Sequence, residues 1–209
     1  MKKIIVLNNA LDVTEKVRNR IINNDVNLLQ INYNCNYSSP SPFRDIRNLA
    51  EIKFEIQLGE DVKSMFEFFY NCDSLQSVPL FDTKKVTIMS RMLARCKSIR
   101  SVPQFDTQNV TDMRDMFLCC DNLKTVPLFD TANVTNMQCM FALCDKLKTI
   151  PLFDTKNVTN MHDMFACCDS LKTVPMFDTQ NVTDMHGMFS YCGALKSIPE
   201  FDTEKVTNI

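Results

Sequence analysis

Apolar and polar positions recur along this chain with a period of 24 residues. The tripeptide Phe-Asp-Thr begins six times at that interval, at Phe81, Phe105, Phe129, Phe153, Phe177 and Phe201. A proline lies two residues before each of these phenylalanines, and a cysteine keeps the same interval from Cys72 to Cys192. Self-similarity at a fixed period of this kind indicates a repeat architecture, in which each unit buries its apolar face against its neighbours.

The two halves of the unit predict different elements. The apolar residues in the first half of unit 158–179 are Val158, Met161, Met164, Phe165 and Cys168. Their spacing favours a short helix, with Asn157 as its N-cap. The second half, 171–177, is short, β-branched and bounded by turn residues, which predicts a strand. Stacked units then form an α/β solenoid with a parallel sheet on one face and short helices on the other.

The first 60 residues keep a related but irregular pattern. Strands are expected near the N-terminus (from Met1 through Val6), at 28–33 and at 49–54, and the stretch 11–22 reads as an amphipathic helix. We therefore predict irregular N-terminal capping repeats over 1–60 and regular 24-residue repeats over 61–209. A small separate βαβ domain at the N-terminus is the alternative.

The repeat consensus has a recognisable relative. The run Phe-Asp-Thr-x-Asn-Val-Thr-x-Met-x-x-Met-Phe-x-x-Cys-x-x-Leu-x-x-Val-Pro resembles the BspA-like leucine-rich repeats, and the resemblance covers 61–209. It implies a leucine-rich-repeat-like solenoid with a curved parallel sheet. Members of this group are mostly bacterial surface proteins, with others in protists and bacteriophages, and their usual role is adhesion or partner binding. The family has no catalytic residues to carry over.

Composition narrows the function and the compartment. The formal net charge is −2, so no electrostatic footprint for nucleic acid or an anionic membrane exists. The longest N-terminal apolar run, 4–7, is too short for a signal peptide, and no run reaches the ~20 residues of a membrane span. With ten cysteines that we expect to be free thiols, the chain fits the reducing cytoplasm. A virion or the cell surface is the alternative location.

Candidate chemical groups are better explained by the repeat than by catalysis. We expect the cysteine column to be core, because a helical stack spaces equivalent positions by roughly 10 Å and forbids disulfides. His162 and His186 occupy a slot that varies between units, and the aspartates from Asp82 to Asp202 are expected to hold their own turns. Paired methionines at helical spacing read as core. We predict no enzyme activity, no cofactor and no metal.

Function is expected at exposed positions of the strand half. The candidate partner-binding residues are Arg100, Lys124, Lys148, Lys172, Lys196, Thr125, Thr149, Thr173, Leu128, Leu152 and Met176. Strand alternation would place the Ser/Thr and Pro positions on the exposed sheet, with the Lys/Arg row at its rim and an apolar stripe beside it. A solvated rim without a partner is the alternative.

These observations predict a non-catalytic module that binds another protein and acts by occluding it inside the cell, with a phage or virus as the expected kind of source. The alternative function is a surface adhesin or a structural component of a virion. Because the sequence stops at Ile209, where a further helix would start, we also expect a partner or a second copy of the chain to cover that end. Nucleic-acid binding and membrane insertion are not expected.

Overall fold

In the computed structural model, which describes residues 3–209, the chain begins with a small parallel sheet. Strand β1 spans Ile4–Leu7, β2 spans Leu28–Ile31 and β3 spans Glu55–Leu58, and the sheet order is β1-β2-β3. A 3₁₀ helix, Ala10–Asp12, and helix α1, Glu15–Ile22, connect β1 to β2. The predicted strands at Ile4 and Leu28 and the predicted helix are confirmed. The strand expected at 49–54 is wrong, and Met1 lies outside the described residues.

Local sequence explains these first elements. Strand β1 buries Ile5 and Leu7 and exposes the residues between them, which is the alternation of a half-buried strand. Helix α1 begins after Thr14, whose hydroxyl accepts a hydrogen bond from the Val17 N–H at 3.3 Å and caps the helix. The helix is short, and no helix among residues 3–209 has the length and apolar character needed to cross a bilayer.

The regular repeats form stacked coils that are joined by parallel bridges. Each coil contributes one bridge residue, and the series runs from Ser64 through Ile88, Asp112, Asn136, Asn160 and Asp184 to Asn208. The bridge residue lies directly before the first methionine of the unit. The sheet of the first 58 residues therefore continues through the repeats as a single bridge per coil rather than as full strands.

The prediction of helices in the repeats is wrong. Backbone N–H groups at alternate positions donate to the next coil, as in Asp163 to the His186 carbonyl at 2.9 Å and Phe165 to the Met188 carbonyl at 3.0 Å. Asp163 and Cys167 have φ of 51° and 59°, in the left-handed region that no α-helix uses. The apolar spacing fits a helix, but pairing between coils takes the N–H groups that a helix would need.

The strand predicted at 171–177 is also wrong, because this segment has no strand in the described chain. The predicted cap Asn157 instead links coils, since its side-chain amide donates to the Ala132 carbonyl at 2.7 Å. The same bond recurs from Asn109, Asn133 and Asn181. The solenoid is thus built of turns and short bridges rather than of alternating helices and strands.

Columns of identical side chains fill the core. The rings of Phe117, Phe141, Phe165 and Phe189 stack nearly parallel, with successive centroids 5.5, 5.7 and 5.7 Å apart. The buried hydroxyl of Thr155 donates to the Asp178 carbonyl of the next coil at 2.7 Å, and equivalent threonines repeat this bond. Each coil therefore fixes the position of the next by side-chain stacking and by hydrogen bonds that bridge coils.

Candidate partner-binding surface

All eleven candidate residues lie on the surface of the described chain. The basic positions Lys124, Lys148, Lys172 and Lys196, here called the lysine column, form no ion pair within residues 3–209. Arg100 and the three threonines are exposed as well. The sequence therefore identified exposed positions, and the structure leaves open what they bind.

The reasoning from strand alternation is wrong even though the exposure is right. In the coil around Lys148, Leu147 and Ile150 are buried whereas Lys148 and Thr149 are both exposed in succession. Pro151, expected on the same open face as Thr149, is half-buried. The cause is the turn-rich backbone, because two neighbouring residues can face solvent only where the chain is not a regular strand.

Three of the candidates form an exposed apolar ridge. Leu128, Leu152 and Met176, here called the apolar ridge, occupy the same slot of successive coils and are 60, 61 and 57% exposed. Gln104 and Glu200 occupy this slot in the flanking coils. The neighbouring slots of the unit that face solvent hold Asp, Lys, Thr or Asn, so this apolar column is unlike its surroundings.

An aspartate column runs beside the ridge. Its members lie two residues after the ridge slot and are all exposed: Asp82, Asp106, Asp130, Asp154, Asp178 and Asp202. In each, Oδ1 accepts a hydrogen bond from the backbone N–H two residues on, at 2.9 to 3.2 Å. This confirms that the aspartates hold their own turns.

Two shallow hollows lie between the ridge and the aspartates. One, of about 320 Å³, is lined by Leu128, Leu152, Asp130 and Asp154 among others. The second, of about 330 Å³, is lined by Met176 together with Asp178, Asp202 and Glu200. Carboxylates rather than lysines therefore border the apolar ridge, which corrects the expectation of a lysine rim.

Backbone carbonyls of the ridge can accept a donor. Gln104, in the slot before the ridge, reaches across one coil, and its Nε2 donates to the Leu128 carbonyl oxygen at 2.9 Å. The ridge thus offers apolar side chains and an accessible hydrogen-bond acceptor at the same place.

The cysteines are core residues, as expected, but the spacing argument was wrong. The six thiols at the 24-residue interval donate to backbone carbonyls of the preceding coil, as in Cys144 Sγ to Phe117 O at 3.2 Å. Coils about 5 to 6 Å apart replace the 10 Å of a helical stack. All ten cysteines are free. Burial raises the pKa of the Cys144 thiol well above its usual value and that of Cys168 to about 12, so these thiols stay protonated.

The two histidines stack on each other. The rings of His162 and His186 are 5.4 Å apart, and His162 Nε2 lies 3.1 Å from Asp163 Oδ2. Within residues 3–209, no group of three or more His, Cys, Asp or Glu side chains is arranged to hold a metal ion. The pair belongs to a slot that holds unrelated residues in the other coils.

A charge network that the sequence did not suggest joins the N-terminal part to the repeats. Glu67 is buried and pairs with Arg44 Nη1 at 2.6 Å and with Arg91 Nη1 at 3.2 Å, and Arg91 Nε pairs with Asp115 at 3.1 Å. Glu67, Arg91 and Asp115 share one slot of successive coils. Alternation of charge at the 24-residue interval was the signal that could have revealed this network.

A further hollow lies at the last described coil. It measures about 420 Å³ and is lined by apolar residues that include Met185, Met188, Phe189, Phe201 and Ile209. The Met185 N–H donates to the Asn208 carbonyl at 2.9 Å, so the chain has started the following coil when the sequence stops.

The stack of coils with its short parallel sheet defines a repeat protein of the leucine-rich type. The family model described as a Mycoplasma protein of unknown function, DUF285, matches residues 60–174 and 119–209, and the BspA-type leucine-rich repeat region matches residues 7–97. The chain therefore belongs to the BspA-like leucine-rich-repeat family. No curated protein and no solved structure matches it. Repeats of this family generally serve protein binding and are generally not catalytic.

Proposed function

We propose that the chain is a non-catalytic module that binds another protein through the exposed columns of its regular coils and acts by occluding that protein. The observation that carries this proposal is the apolar ridge, whose three side chains are more than half exposed in successive coils. Exposed large apolar side chains that are clustered and bordered by polar residues are typical of interaction sites. The fixed slots of the unit are used by the stack itself, which leaves the exposed slots free for a partner.

The location is a second part of the proposal. Ten free thiols, most of them buried, are consistent with folding in the reducing cytoplasm. Fractionation of the source cells with an antibody against the chain tests this point, and recovery in particles or on intact cells would instead favour the virion or adhesin function. The phage or viral source stays a prediction.

Self-association is a separate proposal. The apolar hollow around Met188 and Phe201 supports contact with a second copy of the chain. Sedimentation equilibrium over a range of concentrations tests it, with Met188→Glu as the variant expected to abolish any dimer. A monomer at all concentrations would contradict it.

A pull-down under reducing conditions tests partner binding. The tagged chain is compared with two triple variants, one in which Leu128, Leu152 and Met176 are changed to Ser, and one in which Lys124, Lys148 and Lys172 are changed to Glu. A stoichiometric protein partner that is lost with at least one triple variant supports the proposal and identifies the column that binds. A partner retained by both, or none at all, contradicts it.

The single change Lys148→Glu provides the folding control. Lys148 is exposed and forms no ion pair within the described chain, so its charge reversal should change the free energy of unfolding by no more than about 0.5 kcal/mol. A loss of more than about 2 kcal/mol in urea denaturation would show that the lysine column belongs to the fold rather than to a binding surface.

A further inference from the structure

We propose that the channel between the apolar ridge and the aspartate column binds an extended, basic segment of the partner protein, with apolar side chains on the ridge and Lys or Arg side chains on the aspartates. The inference rests on the proposed function, because it names the chemistry of the partner that a protein-binding module would take. It commits to the ridge and the aspartates as the contact surface and excludes the lysine column.

The first argument is the shape of the channel. Both hollows place the ridge on one side and carboxylates on the other, at equivalent positions of different coils. An extended strand sends successive side chains to opposite sides. A strand lying along this channel would therefore direct one set of side chains to the ridge and the other set to the aspartates, which requires alternating apolar and basic residues.

The second argument is charge complementarity. One oxygen of each aspartate holds its own turn, and within residues 3–209 Asp154 alone in this column forms an ion pair, with Lys156 at 3.1 Å. The Lys156 ammonium also holds the pKa of Asp154 below its usual range. The other carboxylates keep an oxygen free toward solvent and repel one another along the column, and a basic segment removes that repulsion. Glu200 adds a further negative charge to the second hollow.

The third argument is spacing. Phe177 and Phe201 directly follow ridge slots, and their nearly parallel rings are 6.4 Å apart. Side chains on one side of an extended strand recur at about 6.7 Å, whereas the turns of an α-helix recur at about 5.4 Å. The ridge side of the coils thus matches an extended segment more closely than a helix.

The fourth argument is the hydrogen bond from Gln104. A strand in the channel presents its backbone N–H groups to the floor, and Gln104 Nε2 already donates to the Leu128 carbonyl at 2.9 Å. The equivalent carbonyls of Leu152 and Met176 receive no such bond in the described chain. They are acceptors to which a strand of the partner can donate.

The experiment selects random linear peptides, displayed on phage, against the immobilised full chain, and then measures the selected peptides by fluorescence anisotropy. We expect enrichment of sequences in which apolar residues alternate with Lys or Arg. Affinity should fall at least about tenfold with Leu152→Ser and with the triple change of Asp130, Asp154 and Asp178 to Asn. Asn keeps the oxygen that holds each turn, so these variants should fold.

Two controls make the result decisive. Leu143→Ser removes an exposed apolar residue on another side of the coil and should leave affinity unchanged. A selected peptide scrambled so that the alternation is lost should bind at least about tenfold more weakly.

Three results would overturn the inference: acidic peptides, binding that survives the ridge and aspartate variants, or no enrichment. Peptides that lose affinity only with Lys124→Glu or Lys148→Glu would refute this channel while leaving protein binding itself intact.

Discussion

The N-terminal part, 4–58, and the regular coils, 62–208, stack in the same way but specify the stack differently. In the N-terminal part, β2 pairs with β1 and β3 over four residues each, so backbone register fixes the neighbours. In the regular coils one bridge residue pairs per coil, and columns of Phe, Thr, Asn and Cys side chains do the rest. Register is therefore carried by the backbone in one region and by side chains in the other.

This difference teaches where variation is tolerated. A strand pair accepts many side chains, and the N-terminal part accordingly shows no strict repeat. A stack held by side-chain columns requires identical residues at its inward slots, and only its outward slots are free to change. The ridge slot holds Leu, Met, Gln and Glu, so it belongs to the free set.

The largest expected effect comes from breaking the phenylalanine column. Phe141 is fully buried between Phe117 and Phe165. Phe141→Asp places a carboxylate without a partner there, at a cost of at least about 5 kcal/mol, so the regular coils should unfold. Leu143→Asp, two residues away and 42% exposed, is the control and should stay folded. Circular dichroism and urea denaturation check both, and a cooperative native transition in Phe141→Asp would refute the role of the column.

The next effect tests the boundary between the regions. Arg91→Ala leaves the buried Glu67 with one partner and Asp115 with none, so we expect a loss of about 2–3 kcal/mol. This lies below the range for a fully buried pair because Arg91 is one-third exposed. Arg95→Ala removes an arginine that contacts only the face of Tyr70, at 6.0 Å, and should cost less than about 1 kcal/mol. Equal losses in urea denaturation would show that the network does not join the regions.

A smaller effect isolates one hydrogen-bonded column. Thr155→Val keeps the volume of a buried side chain but removes the donor to the Asp178 carbonyl, so we expect a loss of about 1–2 kcal/mol. Thr173→Val, at an exposed position, should change stability by less than about 0.5 kcal/mol. The midpoint of urea unfolding at constant slope measures both, and no difference between them would assign the coil register to packing alone.

Much of the architecture was predictable because the period is written in the sequence. The 24-residue interval, the inward Phe and Cys slots and the strands at Ile4 and Leu28 all follow from apolar pattern. The helices in the repeats were wrong because left-handed φ falls on Glu67, Asp115 and Cys139 rather than on glycine, so no residue marks these turns. Pairing between coils is a tertiary effect that a single unit does not reveal.

The candidate surface was predictable only as a set of exposed positions. Variation among Leu128, Gln104 and Glu200 indicates an outward slot, but it does not tell which charged column borders it. The sequence distance from Leu128 to Lys124 and to Asp130 is similar, and the path of the backbone decides in favour of the aspartate.

The smallest expected effect separates two carboxylates of one coil by the sign of their pH dependence. Burial, and then Asp121 and Asp169, raise the pKa of Asp145, so the folded state binds its proton more tightly than the unfolded state. The ionised form therefore destabilises the fold above the raised pKa, and Asp145→Asn should raise stability at pH 7 by no more than about 0.5 kcal/mol, a gain that vanishes in acid below the unfolded pKa. Asp154, whose pKa Lys156 lowers, should show the opposite: Asp154→Asn loses stability at pH 7, and the loss disappears as pH falls through the folded pKa. Urea denaturation of both variants from neutral pH down to about pH 3, below the usual aspartate pKa, measures the two slopes. Slopes of the same sign would mean that the neighbours of Asp145 do not act on it as the stacked carboxylates require.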